Sequence, residues 1–331
     1  MDDASDFDRD VDDSMRLFER ARVGSATPLT PIRPARVMLV LDGSDQDPTS
    51  IASANHLRNV CNTETLVLDA RETATDDSSP DANAAPPTPS SPHPPSDLAT
   101  QTAGQITGAR AISRPSGESF EAILDSLKTH DVNLLIVPCP FGRSFGKVGA
   151  DSVGTVVDVL LSRCSVPFLV IRHPDQALAE CSQRVSMLVG SECDVENRAA
   201  AWAFGLAKPK GEVSLNLVVE KEHFENVRAI LESVDPDKEF DVGMLADVLA
   251  RTHQNLHAAM NKTANDLGIQ YHLMPQPGEI APPHPLSDTH QQLIVLPLEV
   301  DDRFTQGFVI DRIRRSPHPV LVVAGHVKSE E

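Results

Sequence analysis

The chain has 331 residues, enough for about two domains, and its 40% hydrophobic residues can fill a sizeable core. Its net charge is −19, from 48 acidic and 29 basic residues. That charge argues against a nucleic-acid backbone or an anionic membrane surface as the main partner, because both are negative. Aromatic residues make up only 4%, so we expect no surface that stacks single-stranded bases.

The cysteines and the apolar runs indicate the cellular compartment in which we expect the protein. Five cysteines, odd in number and without a C-x-x-C pair, give little support to a disulfide scaffold or a thiolate zinc site, and favour a reducing compartment. The N-terminus lacks an apolar stretch behind a basic start. The longest apolar runs, Leu134–Val137 and Val320–Ala324, are too short for a membrane helix. We therefore expect a cytoplasmic protein without membrane insertion.

Two segments are predicted to be poorly ordered, apart from the last few residues. Residues 1–34 form an acidic tail, in which eight of the first twenty residues are Asp or Glu. Residues 72–104 form a low-complexity insert with seven prolines in the sixteen residues from Pro80 to Pro95. Such segments cannot bury enough apolar surface to offset the entropy lost on ordering.

Between these segments, short apolar runs alternate with helical patterns, first over 35–172 and again over 184–325. Runs that are apolar throughout and separated by helices are typical of a parallel sheet covered on both faces. We therefore predict an α/β fold of two tandem doubly wound domains, each with a five-stranded parallel sheet. The predicted strands are Arg36–Leu41, Thr65–Asp69, Ala109–Ser113, Val132–Val137 and Val166–Ile171, then Val185–Val189, Val213–Val219, Gln270–Met274, Leu293–Leu296 and Pro319–Val323.

Two features of the first unit point to a phosphate ligand. Asp42-Gly43-Ser44 follows the first strand, and a glycine-rich loop at 139–149 follows the fourth, with Gly154-Thr155 then opening a helix. Glycines let backbone N–H groups approach phosphate oxygens, and a helix N-terminus favours negative charge. Arg143 and Lys147 would add positive charge to that loop. The spacing is not that of a Walker loop, and Asp-Gly turns and glycine-rich loops are common without a ligand.

The order of elements resembles the universal stress protein family, in its tandem two-domain form. The resemblance covers 35–172 well and 184–325 more loosely. It is carried by Val37–Ser44, which is similar to the opening strand and its Asp-Gly-Ser turn, and by Asn133–Val137, which is similar to the fourth strand. The most specific match is the closing block, Gly154-Thr155-Val156 followed by Val166–Arg172. The implied fold is that of the adenine-nucleotide alpha hydrolases.

The resemblance implies a site for ATP or another adenine nucleotide, with or without magnesium. Asp42 would meet the ribose, Leu68 and Asp69 would lie by the adenine, and Gly142 with Gly154, Thr155 and Val156 would meet the phosphates. The family's loop in ATP-binding members reads G-x2-G-x9-G-[S/T]. Here Cys139 replaces the first glycine, and eleven residues instead of nine separate Gly142 from Gly154. The insert also stands in place of the family's second helix.

The second unit departs further from this pattern. Val189 stands where the aspartate would be, and the loop after the fourth strand carries Glu299, Asp301 and Asp302, which would repel phosphate. We therefore expect this degenerate unit to bind no nucleotide and to serve in packing. The resemblance implies that the two units pair through their last strands as an intramolecular pseudo-dimer, and it leaves a homodimer open.

Several alternatives remain at this point. The leading one is a nucleotide-independent scaffold, in which both sites have decayed and the insert or the acidic tail recruits a protein partner. A weak nucleotide hydrolase has no placed general base, so we assign no catalytic residue. A further alternative is a regulatory domain that acts as a partner of a cation/proton antiporter, because such domains resemble the predicted fold. His253 and His257 lie four residues apart on a helix but lack the glutamate of a zinc motif, so we assign no metal.

Overall fold

The computed structural model describes residues 26–72, 94–148, 152–190, 195–218, 225, 228–230, 232–233, 251–275 and 291–325. The strands are β1 Arg36–Leu41, β2 Glu64–Asp69, β3 Arg110–Ile112, β4 Leu134–Pro138, β5 Phe168–Ile171, β6 Arg184–Val189, β7 Glu212–Leu217, β8 Gln270–Pro275, β9 Leu293–Leu298 and β10 Val320–Ala324. The helices are α1 Asp47–Cys61, α2 Asp97–Ala103, α3 Ser119–His130, α4 Phe145–Val148, α5 Thr155–Arg163, α6 Leu178–Cys181, α7 Glu196–Leu206, α8 Gln254–Leu267 and α9 Arg303–Arg315. Within these ranges no helix has the length and apolar content needed to cross a bilayer.

The strands form one continuous sheet in the order β3-β2-β1-β4-β5-β10-β9-β6-β7-β8. Within each half, β1–β5 or β6–β10, neighbouring strands are parallel. The halves meet at β5 and β10, which pair antiparallel with Leu169 opposite Leu321. The predicted α/β fold with five parallel strands in each half is confirmed. The structure adds that the two sheets join edge to edge through the last strands.

The strands are buried because helices cover both faces of the sheet. Every residue of β4, β5, β9 and β10 is buried, as expected for runs without polar alternation. One apolar cluster on each face includes strand residues from both halves, such as Val37 with Val185 on one face and Met38 with Val320 on the other. The seam between the halves is therefore part of a shared core.

The segment 26–35, which we name the N-terminal strap, differs from the sequence expectation. Residues 26–34 were assigned to a disordered tail, whereas the strap lies against α7 and α8 of the second half. The Ile32 N–H donates to the Ala201 carbonyl at 2.9 Å, and the Leu29 N–H donates to the Thr263 hydroxyl at 2.7 Å. Both strap side chains pack on the core cluster of that face. Residues 1–25 of the expected tail lie outside the described residues.

The second helix of the first half also differs from expectation, because the insert does not replace it. Helix α2 lies inside the predicted insert at 72–104, after a stretch, 73–93, that lies outside the described residues. The Ser96 hydroxyl accepts from the Ala99 N–H and so caps the helix, while Ala99 and Thr102 are buried against the sheet. The spacing of apolar residues over 242–267 predicts a long helix, which is found as α8 over its later part; 242–250 lie outside the described residues.

Replacing Ser96 by Ala tests the role of this helix. Ser96 caps α2 and also donates to the Asp69 carboxylate at 2.8 Å, so we expect Ser96→Ala to lower the free energy of unfolding by about 1–2 kcal/mol. Ser96→Thr keeps a hydroxyl at the cap and serves as the control in denaturant unfolding. Equal stability of wild type and Ser96→Ala would show that α2 adds nothing to the fold.

Candidate functional site

The turn after β1 holds an aspartate at the edge of the sheet where parallel strands end. Asp42 is 5% exposed, because β2 and β4 flank β1 on either side. Its Oδ1 accepts from the Ser44 N–H at 2.9 Å, which closes a tight Asp-Gly-Ser turn. Gly43 has φ +76°, a conformation that favours glycine. The carboxyl ends of strands are where ligands bind in folds of this kind.

The glycine-rich loop meets this turn directly. The Gly142 N–H donates to Asp42 Oδ2 at 2.6 Å. Gly142 has φ +69°, and a Cβ there would meet nothing within 4 Å, so its backbone conformation, and not crowding, favours glycine. The structure thus brings Asp42 and Gly142, 100 residues apart in sequence, into one hydrogen bond.

Helix α5 begins beside the same loop. Its N-cap, Gly154, has φ +80° and no side-chain cap, and a Cβ built on Gly154 would lie 3.7 Å from the Phe141 nitrogen. The first N–H groups of a helix have no partner within the helix, so they are available to an anion. Thr155 is exposed at this start, whereas the Val156 side chain is buried in the core and only its backbone belongs to the edge.

Three residues of the glycine-rich loop that were predicted for the site, Cys139, Arg143 and Lys147, differ in their exposure to solvent. The Cys139 side chain is fully buried, and its Sγ accepts from Arg172 Nη1 at 3.2 Å. Burial raises the pKa of the Cys139 thiol to about 11, so the thiol stays neutral at pH 7. Cys139 therefore packs beneath the loop, and its neutral, buried thiol is not available to a ligand. Arg143 and Lys147 are both exposed on the loop.

The end of β2 carries an ion pair between Asp69 and Arg71, and Arg71 is not among the residues predicted from the sequence. Leu68 is fully buried, while the Asp69 carboxylate accepts from Arg71 Nε at 2.9 Å and Nη2 at 2.8 Å, and from the Ser96 hydroxyl. Burial would raise the pKa of Asp69, but the hydrogen bonds from Arg71 and Ser96 outweigh it and lower the pKa. Asp69 thus stays ionised and holds Arg71 in place.

Arg71 extends from this pair across the neighbouring turn. A Cβ built on Gly43 would lie 3.1 Å from Arg71 Cδ and 3.4 Å from its Nη1, so Gly43 also leaves room for the arginine. The hydrogen bond that Arg71 donates to Asp69 is the largest cause of the raised pKa of Arg71, and the charges of Asp47 and Asp42 also contribute. Arg71 therefore supplies a fixed positive charge between the ends of β1 and β2.

Asp47 and Gln46 are two further buried residues of the turn. The Asp47 carboxylate accepts from the Gly43 N–H at 2.9 Å and the Asp42 N–H at 3.3 Å. Burial, and then the charge of Asp42, raise the pKa of Asp47 to about 7. Gln46 is fully buried, and its amide lies 3.3 Å from the carbonyl oxygens of Cys139 and Arg143. In the sequence, both Asp47 and Gln46 belong to a run of polar residues directly after the first apolar strand, and that run was the pattern from which they could have been predicted.

The corresponding edge of the second half carries different side chains. Val189 ends β6 as a buried residue, and a Cβ built on the following Gly190 would lie 3.7 Å from the Phe308 ring. Arg312 stacks on that ring, with its Cζ 4.9 Å from the ring centroid. Among the described residues, the end of β6 therefore carries Val189 and the Phe308–Arg312 pair in place of an aspartate; Gly190 is exposed, and 191–194 lie outside the described residues.

His253 and His257, the pair spaced four residues apart, have partners other than a metal. His253 Nδ1 lies 3.1 Å from Glu196 Oε2, and both side chains are buried. His257 Nδ1 lies 3.0 Å from the Tyr271 hydroxyl. Among the described residues no group of three or more His, Cys, Asp or Glu is arranged to hold a metal ion.

Comparisons with known proteins give structural similarity only. No protein-family model and no curated protein matches the chain. A universal stress protein from Archaeoglobus fulgidus DSM 4304 is similar at 16% identity, with 89% of this chain and 97% of that chain covered and a TM-score of 0.48. A protein of unknown function from Pseudomonas aeruginosa PAO1 and a protein assigned to the universal stress proteins from Pseudomonas aeruginosa UCBPP-PA14 each show 12% identity, coverage of 88% and 93%, and a TM-score of 0.48. We therefore base the function on this chain's own residues.

Proposed function

We propose that this protein is a universal stress protein-like regulatory protein that binds one adenine nucleotide per chain, in its first half. The observation that carries the proposal is the meeting of Asp42, Gly142 and the start of α5 at one edge of the sheet. Each belongs to a different segment of the sequence, and each offers a group that a nucleotide requires. The sequence resemblance assigns the same residues to ribose and phosphate.

The proposed pose follows the order of the strands. The adenine lies by the end of β2, near Asp69, the ribose reaches Asp42 at the end of β1, and the phosphates lie between Gly142 and the first N–H groups of α5. The exposed Arg143 and Lys147 add charge beside the phosphates. Magnesium, where present, would come bound to the phosphates, because no group of acidic residues in the described ranges forms a metal site.

The proposed role is binding and regulation without a catalytic step. In this pose the Asp42 carboxylate is used to bind the ribose, so it is not left as a general base that activates water. The pairing of the halves through β5 and β10 supports an intramolecular pseudo-dimer in which the second half serves packing. A protein partner would complete the regulatory role, and a homodimer is compatible with it.

Replacing Gly154 by Val tests the site. A branched side chain at φ +80° strains the backbone beside Phe141 and shifts the start of α5, so we expect Gly154→Val to abolish ATP binding in calorimetric titration. The matched control is Gly268→Val. Gly268 has φ +65° with nothing within 4 Å of its Cβ position, and it caps α8 in the second half. That control imposes similar strain and should leave ATP affinity unchanged.

Replacing Asp42 by Ala gives a graded version of the same test. Loss of the ribose partner should weaken ATP binding by about 1–3 kcal/mol, the scale of a hydrogen bond to a charged group. Unchanged affinity in Gly154→Val and Asp42→Ala would contradict the proposed site. No binding by wild type at millimolar ATP would favour the alternative of a nucleotide-independent scaffold.

A further inference from the structure

The glycine-rich loop (139–148) is fastened to the turn after β1 at three separate points. At the inner point the Gly142 N–H donates to the Asp42 carboxylate at 2.6 Å. At the outer point the Ser144 hydroxyl donates to Asp45 Oδ2 at 2.7 Å, and this contact is exposed.

The third point is the buried side chain of Gln46. In one orientation its amide nitrogen donates to the Cys139 and Arg143 carbonyl oxygens at 3.3 Å. In the other orientation its amide oxygen accepts from the Phe145 N–H at 3.2 Å. In both orientations Gln46 joins the start of α1 to the glycine-rich loop by hydrogen bonds, so this contact does not depend on the orientation of the amide.

The inner contact joins the groups that the proposed nucleotide needs. A backbone N–H has one hydrogen to donate, and the hydrogen of Gly142 is taken by Asp42. Asp42 is 5% exposed and its carboxylate holds the Gly142 N–H, so a ribose hydroxyl reaches the carboxylate only after the loop has moved. Nucleotide and loop therefore compete for the same carboxylate and the same N–H.

We propose that the glycine-rich loop is an autoinhibitory latch, in which the Ser144–Asp45 and Gln46 contacts hold Gly142 on Asp42 and keep the nucleotide site closed. This inference rests on the proposed function. A ligand that binds only the open loop has an apparent affinity reduced by the fraction of open molecules, so loosening the latch tightens binding. Ser144 and Asp45 contact each other at the outer edge and are not among the groups assigned to the nucleotide.

The test measures loop opening and ATP affinity separately in full-length Ser144→Ala. Loss of one hydrogen bond to a carboxylate should raise the open fraction about threefold to tenfold. Amide hydrogen exchange of 141–147 without nucleotide should accelerate by that factor, and the Kd for ATP should fall by the same factor. Ser162→Ala is the control, because its exposed hydroxyl donates to the Val159 carbonyl within α5, away from the loop. It should change neither quantity.

The two measurements separate the latch from the proposed function. Exchange that is unchanged in Ser144→Ala would overturn the latch, whatever happens to ATP binding. Faster exchange with equal or weaker ATP affinity would overturn the inhibitory role of the contact. If wild type shows no ATP binding and Ser144→Ala does, the latch is supported as the reason for the silent wild-type site. If neither binds, the inhibitory role and the proposed function both fail.

Discussion

Replacing Gly205 by Ala should lower the free energy of unfolding by about 2–3 kcal/mol, because it drives a methyl group into the N-terminal strap. A Cβ built on Gly205 would lie 1.7 Å from the Ile32 carbonyl oxygen and 2.6 Å from its carbonyl carbon. These are backbone atoms, so the strap must leave α7 or the helix must shift. Either movement gives up the hydrogen bond from Ile32 to Ala201 and the packing of the strap on the core.

Gly307→Ala is the matched control for this prediction. Gly307 also lies inside a helix, α9, but a Cβ there would meet nothing within 4 Å. Alanine is the better helix former, so Gly307→Ala should stabilise the protein by up to about 1 kcal/mol. Thermal unfolding compares the two variants, and chymotrypsin cleavage after Leu29 reports release of the strap. A Gly205→Ala variant as stable as wild type, with the strap still protected, would contradict the role given to the strap.

Replacing Asp47 by Asn should change stability in opposite directions at acid and alkaline pH. The folded-state pKa of Asp47 is raised to about 7 from an ordinary value of 3.8, by burial and by the charge of Asp42. Its ionisation therefore opposes folding, and the wild type loses stability as the pH rises from about 4 to about 7. Asn does not ionise, but it accepts only one of the two backbone N–H groups that Asp47 accepts.

We therefore expect Asp47→Asn to be about 1 kcal/mol less stable than wild type below about pH 4, through the lost hydrogen bond, and about 1–3 kcal/mol more stable at pH 8. Denaturant unfolding at several pH values measures this difference. Asp125→Asn removes an exposed carboxylate and should show no such pH dependence. A stability difference between Asp47→Asn and wild type that stays constant from pH 5 to pH 8 would contradict a raised pKa.

The strands could be predicted from the sequence because their apolar content is continuous. Residues 134–138 and 320–324 are buried on both faces of a parallel sheet, and no other element of that length needs such composition. The Asp-Gly-Ser turn could be predicted for a related reason, since it ends the first such run at the sheet edge, whereas Gly154 was indicated by the glycine-rich loop before it and by the resemblance. The joining of two sheets into one was expected only from the resemblance.

Other elements could not be predicted, because distant residues stabilise them. Helix α2 has the polar sequence Asp97–Ala103, with only Ala99 and Thr102 buried, and it follows a proline-rich stretch. The strap contacts residues that lie about 170 to 230 positions later in the chain, which no local pattern indicates. Arg71 and Gln46 look like ordinary surface residues in the sequence, and their roles follow from partners supplied by the sheet edge.

The stoichiometry of ATP binding to the full-length protein tests the central claim most directly. Asp42, Gly142 and the open start of α5 lie together in the first half, whereas the Phe308 ring lies against Gly190 in the second. We therefore predict that calorimetric titration gives one ATP per chain, and that Gly154→Val removes it. Two ATP molecules per chain, or one that survives in Gly154→Val, would contradict the account.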